Sequence, residues 1–291
     1  MLSTTCTPMH LLARRLCQTP DNYVVRQVLY RLGFADQLWR SKNFGRTGPF
    51  RFDISNLIER EIEASRQEDL DFTCMILVLG KTGVGTSATS NSIFGEVKSK
   101  TDAFTPGTKR VQEIVGTVNG MWVRVIDTPG LLVSSADQSL NGKILASIKR
   151  VIKKIPPDIV LYIDRLDTLS ICNGDVHLLC TIRDAFRPAV WFNAILVLTH
   201  AASALFDGLH GIPISYETYV SQCFQMVQKA IRQAVGDMRL VNHVSLVENH
   251  PSYKTNRAGQ RVLSNGQTWK NDLLLLCFAS KNLAEANSFL K

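Results

Sequence analysis

From residue 71 onward, short apolar runs alternate with amphipathic stretches. The runs predict strands at 74–79, 111–118, 121–127, 158–164, 191–199 and 243–248, and the helical periodicity between them predicts helices at 87–95, 138–154, 175–186, 216–235 and 270–290. In "CMILVL", "DIVLYI" and "FNAILVL" the apolar character is nearly unbroken, so these strands are buried on both faces. That is the pattern of a largely parallel sheet between helical layers. "EIVGTVNGMWVRVID" differs: two strands meet at Asn119-Gly120, a dipeptide suited to a type I′ hairpin turn. The expectation is an α/β, three-layer domain, its sheet mostly parallel with one antiparallel edge strand.

Residues 8–45 carry apolar positions at helical spacing, among them Leu11, Leu12, Leu16, Val24, Val25, Val28, Leu29 and Leu32. "TPDN" divides them into two helices with Asp21 as the expected N-cap, and "NFGRTGPF" marks a loop. In "LIEREIEASRQEDLD" acids and bases lie three and four apart, as on a solvated helix. The domains expected are a short helical extension over 1–70 and the α/β domain over 71–291. Repeats and low-complexity tracts are absent.

Composition narrows the choice of ligand. The 291 residues are 45% hydrophobic and 20% charged with a net charge of +8, a core-forming chain whose charge suits a phosphate ligand, an anionic surface or an acidic partner. No dense Lys/Arg run or aromatic-interleaved basic stripe points to nucleic acid. The seven cysteines are scattered without a C-x-x-C pair, against a zinc site or disulfide framework and for a reducing compartment. "LLLLCFA" is too short to span a bilayer, which takes about 20 residues. The opening "MLSTTCTPMHLLARRLCQT" has the Ser/Thr/Arg content of a transit peptide, but its Leu/Arg spacing continues into the next helical segment.

Gly80-Lys81-Thr82-Gly83-Val84-Gly85-Thr86-Ser87 meets G-x-x-x-x-G-K-[ST] at every fixed position except the lysine, where Thr86 stands. Glycines let such a turn aim successive amides at phosphate oxygens, and the following helix, with Ala88 in its first turn, adds its positive end. The alternative is an ordinary glycine turn. Ser87 is the expected Mg²⁺ ligand. Loss of a desolvated charge–phosphate contact costs about 2–5 kcal/mol, so weakened binding and slow hydrolysis are expected. Lys81 either compensates in part or points into solvent.

Asp127-Thr128-Pro129-Gly130 ends the second strand of the hairpin. An aspartate there reaches Mg²⁺, and the Gly130 amide senses a γ-phosphate. Alone, D-x-x-G is an ordinary turn; after a phosphate loop it is far more specific. "TDAFTPGTKR" between the two supplies Thr108 as a further magnesium candidate, with Thr101 and Thr105 as competitors. For the base, N-K-x-D is absent; "LVLTHAA" and "VSLVENH" stand at strand ends, where His200 can lie along a purine face and Glu248 and Asn249 can bond its edge. Taken singly, each of these is more often a loop polar residue than a ligand. Water is the expected nucleophile, and no side chain stands out as a general base.

Taken in order, GKTGVGTS, DTPGLL, PPDIVLYIDRLD, WFNAILVLTHAAS and VSLVENH resemble the G domain of the large preprotein-receptor GTPases of the chloroplast outer envelope, within the septin-like AIG1-type GTPases. The likeness covers 71–291, including "ENHPSYKTNRAGQRVLSNGQTWK" and "LLLLCFASKNLAEAN", and extends upstream to "VVRQVLYRLGFADQLWR". It implies GTP/GDP binding with Mg²⁺, slow hydrolysis and recognition of chloroplast precursor proteins at the cytosolic face of the envelope. It also implies G-domain pairing, as a homodimer or with the smaller receptor GTPase. Base contacts carry over to His200, Glu248 and Asn249; phosphate and magnesium roles carry over to Gly83, Gly85, Ser87, Thr108, Asp127 and Gly130.

Three departures accompany the likeness. Thr86 replaces the loop lysine. The acidic region and membrane-anchor domain of the large receptors have no counterpart in these residues, so an indirect membrane hold is expected. Ser170 stands in "DRLDTLSICNGD" where the smaller receptors carry an arginine that reaches the partner's nucleotide, and Arg165 matches a different position. A pseudo-GTPase pairing module is therefore the alternative to a working switch.

Overall fold

The computed structural model describes residues 9, 11–18, 22–31, 70–98, 108, 110–168, 173–202, 215–250, 255–257 and 259–288. Its strands are β1 (Leu70–Gly80), β2 (Gln112–Val118), β3 (Met121–Asp127), β4 (Ile159–Arg165), β5 (Ala194–Thr199) and β6 (His243–Leu246). They form one sheet in the order β2-β3-β1-β4-β5-β6. Parallel pairing aligns Ile76 with Ile159, Val160 with Ala194, and Ile195 with His243. The helices of the main domain are α1 (Thr86–Phe94), α2 (Gln138–Lys154), α3 (Asn173–Phe186), α4 (Tyr216–Val235) and α5 (Trp269–Ser288). The architecture is the expected one: a mostly parallel six-stranded sheet with one antiparallel strand and helices on both sides. Asn119 and Gly120 both take positive φ, 50° and 74°, as a type I′ hairpin requires.

Continuous apolar strands have the consequence the pattern implied. Met75, Leu77, Leu79, Val160, Tyr162 and Leu196 pack on one face against Leu145 and Ile148 of α2, Leu178 and Ile182 of α3, and Val227 and Ile231 of α4. Their alternates Ile76, Val78, Leu161, Ile163, Ile195 and Val197 turn to the other face and are equally buried. The core cluster thereby holds the C-terminal ends of β1, β4 and β5 level, where the candidate ligand residues emerge.

The strand expected at 191–199 begins only at Ala194, because a 3₁₀ turn, Pro188–Trp191, precedes it. Trp191 is apolar enough to extend the run in the sequence, but its ring is buried edge-on against Tyr162, 5.4 Å between centroids. Leu70 and Asp71, read as the end of a solvated helix, open β1 instead; residues 57–69 lie outside the described residues.

Two compact units can be distinguished. One gathers the described residues of Met1–Cys74, Thr117–Val123 and Asn271–Lys291, so it groups the N-terminal segment with the hairpin tip and most of α5; the other comprises Met75–Gly116 and Arg124–Lys270. In the first, helical segments at 11–15 and 23–31 match the upstream periodicity. Asn22 accepts from the Val24 amide at 2.9 Å and so caps the second segment, while Asp21 lies outside the described residues. Arg15 donates to the Gly120 carbonyl at 2.9 Å, and Phe72 stacks edge-on with Phe278 at 5.0 Å. Among the described residues, no helix is long and apolar enough to cross a membrane.

In the second unit a buried amide pair closes the sheet below α4. Asn242 donates to the carbonyls of Trp191 and Ala194, at 2.7 and 3.0 Å, and exchanges hydrogen bonds with Gln228. Replacing Asn242 by Ala removes the side-chain donor to two buried carbonyls and one of the acceptors of the Gln228 amide, which keeps its bond to the Leu240 carbonyl. Asn242→Ala is expected to cost about 3 kcal/mol. Urea unfolding checks this by a lowered midpoint at unchanged m value.

Candidate nucleotide site

All the candidate residues belong to the second unit. β1 ends at Gly80 in tight contact with β4: a Cβ there would lie 2.7 Å from the Ile163 carbonyl, so any larger residue would force the strands apart. The chain then turns through Gly83 and Gly85, at φ 82° and 91°, both in the left-handed region. Gly85 is the N-cap of α1 and offers no side chain to its amides, and no acidic residue sits in the first turn. The amides of Thr86, Ser87 and Ala88 thus open a nine-residue helix whose positive end is unopposed by an acid of its own.

The D-T-P-G segment is joined to this loop. Leu131 donates to the Gly80 carbonyl and accepts from the Thr82 amide, both at 2.9 Å, giving a short parallel bridge. Gly130 lies so close that a Cβ on it would meet Thr82 Cα at 2.5 Å. On the other flank, the Thr199 hydroxyl donates to the Val84 carbonyl at 2.7 Å. The Thr82 amide and the Val84 carbonyl are therefore committed to the frame; the amides at the start of α1 face the ligand position.

Below the loop, the three magnesium candidates meet. Thr108 Oγ1 lies 2.7 Å from Ser87 Oγ and donates to Asp127 Oδ2 at 2.7 Å. Ser90 Oγ lies 3.3 Å from the other carboxylate oxygen, and its hydroxyl also reaches the Thr86 carbonyl. Ser87, Thr108 and Asp127 are buried, Asp127 completely. Two hydroxyls and a carboxylate form an all-oxygen donor set, which fits a hard divalent ion such as Mg²⁺ and not a soft one. Among the described residues no cluster of His, Cys, Asp and Glu offers another metal site. Thr101 and Thr105, the competing threonines, lie outside the described residues.

Lys81 takes neither of the expected paths. Its ammonium is in the protein, 2.9 Å from Asp164 Oδ2 at the end of β4 and 3.0 Å from Asp175 Oδ1 in the first turn of α3. Burial works against its charge, but the two carboxylates outweigh it and hold the Lys81 pKa above its ordinary value. Asp164 is raised as well: burial is the larger effect, and Lys81 offsets only part of it. The loop's one lysine is thus neutralised within the fold, away from the phosphate position.

On the base side, His200 has a left-handed backbone, φ 56°, and its Nδ1 sits 3.0 Å from the Thr199 hydroxyl. Desolvation, with the Arg165 charge adding to it, lowers the His200 pKa, which favours the neutral ring that stacks on a purine. Arg165 itself is held in a two-pronged pair by Asp167, at 2.7 and 3.0 Å. Glu248 is buried and accepts from the amides of Ala202 and His250, at 3.0 and 2.9 Å, tying the two base-side loops together. Asn249 Nδ2 donates to Thr89 Oγ1 at 2.9 Å, while its Oδ1 is buried with no hydrogen-bond partner among the described residues. A buried acceptor without a donor is costly, and a ligand N–H is one way to satisfy it. Ser170 lies outside the described residues.

The sequence reading named the candidate ligand residues but not the residues that hold them: Thr199, Thr89, Asp164, Asp175 and Arg261. The first four lie in runs whose order was informative, but nothing in a one-dimensional pattern distinguishes a supporting threonine from any other.

A glycine loop between a buried strand and a helix, with hydroxyls and an aspartate beneath it, is the layout of a P-loop G domain. Residues 74–261 match the AIG1 family, and the chain belongs to that family. Translocase of chloroplast 101 from Physcomitrium patens is 63% identical over 281 residues, 96% of this chain and 31% of that protein. Translocase of chloroplast 132 from Arabidopsis thaliana is 62% identical over 280 residues, 96% of this chain and 23% of that protein. The chain thus spans less than a third of the length of these relatives. The structure of Toc33 from Arabidopsis thaliana in complex with GDP and Mg²⁺ aligns over 80% of this chain and 93% of that one, with 29% identity and a TM-score of 0.64. A structure of chloroplast translocon components, atToc33 and psToc159, whose dimerization is important for GTPase activity, aligns over 77% and 88%, with 30% identity and a TM-score of 0.63.

The Lys81 pair yields a pH-dependent expectation. Lys81→Met removes the ammonium that two buried carboxylates share and is expected to cost about 3–5 kcal/mol near neutral pH. Without Lys81, Asp164 rises further, so the folded variant binds a proton that the unfolded chain releases. Stability then increases as pH falls from neutral toward the raised pKa, and the gap to the parent narrows. Urea midpoints of both proteins at about pH 7 and about pH 5 measure that gap.

Proposed function

We propose that this chain is a GTP/GDP- and Mg²⁺-binding G domain acting in a receptor for precursor proteins at the chloroplast outer envelope, on the cytosolic face. The convergence of Ser87, Thr108 and Asp127 beneath the glycine loop carries the reading. Oxygen donors suited to a nucleotide-bound magnesium lie below the loop that opens α1, and this supports the reading. In this reading the amides from Gly83 to Ala88 and the Gly130 amide bind phosphate. Ser87, Thr108 and Asp127 would hold the ion, which would supply positive charge against the phosphate oxygens. His200 stacks on the base, and Glu248 and Asn249 bond its edge. A γ-phosphate orders 101–110 and 127–139 and alters a pairing face, and hydrolysis releases it; a ligand acts in this way only through different affinities for the two states. Hydrolysis is slow, with water as nucleophile.

The identity with chloroplast translocases supports the receptor role, and the dependence of GTPase activity on dimerization in atToc33 and psToc159 supports pairing, either with a second copy or with a smaller receptor GTPase. Docking through that partner is then the indirect hold on the membrane. The two domains read from the sequence, 1–70 and 71–291, remain the proposed functional division.

A second reading has its own observation. With Thr86 in the lysine position and Lys81 engaged by two carboxylates, no lysine of the loop is left for the phosphates. A pairing module that binds nucleotide poorly is consistent with that. Fluorescent GDP and GTP titrations with Mg²⁺, on the parent and Thr86→Lys, separate the two. For a working switch the parent binds at micromolar strength or better, and Thr86→Lys improves GTP binding at least about 30-fold. Binding by the lysine variant alone identifies a pairing module, and binding by neither rejects the nucleotide reading.

A further inference from the structure

Arg261 and Ser264, which the reading of the site leaves without a role, reach the loops that carry Asn249 and Ala202. Two tight antiparallel turns follow one another: Thr255 bridges Arg261, closed by Asn256 and Gln260, and Val262 bridges Thr268, closed by Leu263 and Gln267. Arg261 sits between them. Its Nη1 donates to the Asn249 carbonyl at 2.6 Å and lies 3.5 Å from the Ser92 hydroxyl on α1. From the second turn, Ser264 approaches the Ala202 carbonyl at 3.4 Å.

The side chain of Asn249 is held in one sense. Thr89 gives its hydroxyl proton to the Gly85 carbonyl at 2.9 Å, so its oxygen can only accept. It must face Asn249 Nδ2, as it does, and this turns Oδ1 away as the unpartnered buried acceptor. That leaves the main chain of Asn249 as the remaining degree of freedom, and the Arg261 guanidinium holds it. A short, charge-assisted bond in a half-buried setting is stronger than the neutral contacts around it. Glu248 beside it gains from the same restraint, since its carboxylate spans the amides of Ala202 and His250.

We propose that Arg261 is a positioning residue for the purine-edge site: it locks the 247–250 loop to α1 so that the Glu248 and Asn249 side chains are preset to receive the base. The inference rests on the nucleotide reading for its ligand but not for its mechanics. Arg261 is bonded to the Asn249 main chain, so its effect is expected on the base side.

The test uses the full chain with Arg261→Ala and Arg261→Lys. Amide hydrogen exchange without nucleotide is measured first. In Arg261→Ala the His250 and Ala202 amides are expected to exchange about tenfold faster or more, with β4 and β5 unchanged and Arg261→Lys intermediate. Competition of GDP and IDP against a fluorescent GDP follows, since IDP lacks the 2-amino group on the purine edge. Arg261→Ala is expected to weaken GDP about tenfold and to narrow the preference for GDP over IDP, with inorganic pyrophosphate competition unchanged. Unchanged exchange at 247–250, or faster exchange spread over the whole sheet, overturns the proposal, as does an equal loss for GDP, IDP and pyrophosphate. If the parent binds no GDP the nucleotide reading fails, and the exchange result still decides the clamp. If Arg261→Ala does not fold, Arg261→Lys carries the same comparison with a smaller shift.

Discussion

The main chain of residues 80–85 is pinned from three sides, and the geometry of the site depends on it. Gly80 lies against the Ile163 carbonyl, Thr82 pairs with Leu131, and Val84 is held by the Thr199 hydroxyl. β4, the D-T-P-G segment and β5 therefore share one short loop as their common support. A loop fixed in this way meets a ligand with little ordering left to do, which lowers the entropic cost of binding. Rigidity comes from close approach: at Gly80 and Gly130 there is no room for a Cβ.

Electrostatics divides the site in two. Thr86 removes the positive charge usual over the phosphates, and Lys81, the remaining loop lysine, is neutralised by Asp164 and Asp175. What attracts phosphate is then the helix end and its amides, together with whatever charge the Ser87–Thr108–Asp127 cluster collects as a bound cation. On the candidate base side stand neutral and negative groups held in place: a His200 ring depressed toward neutrality, a Glu248 carboxylate spanning two loops, and a buried Asn249 Oδ1 with no hydrogen-bond partner among the described residues. In the proposed reading, the change at Thr86 touches none of these groups, so an altered loop and a retained base side belong to one domain without contradiction.

Much of this was legible along the chain. Unbroken apolar runs named the parallel strands because both faces of a central strand are buried, and Asn119-Gly120 named the hairpin because few other pairs adopt two positive φ angles. Glycine spacing announced the phosphate loop, and Asp127, Ser87 and Thr108 were all named as ligands of one ion. The start of β5 was not legible, since Trp191 is as apolar as a strand residue but is buried in a turn. Nor was the direction of Lys81, because its partners lie 83 and 94 positions away and a lysine has no local preference between solvent and carboxylate.

By itself, then, the sequence determined which residues form strands, which turns demand glycine and which side chains carry suitable chemistry. These are local properties: hydrophobic periodicity, backbone freedom and functional groups. Tertiary structure alone decided who meets whom. Lys81 turns to Asp164 and Asp175, Thr89 orients Asn249, and Arg261 reaches back to the Asn249 carbonyl. Each is a pairing of groups far apart in the chain, chosen because a buried charge or polar atom must find its partner wherever the packed layers bring one within reach.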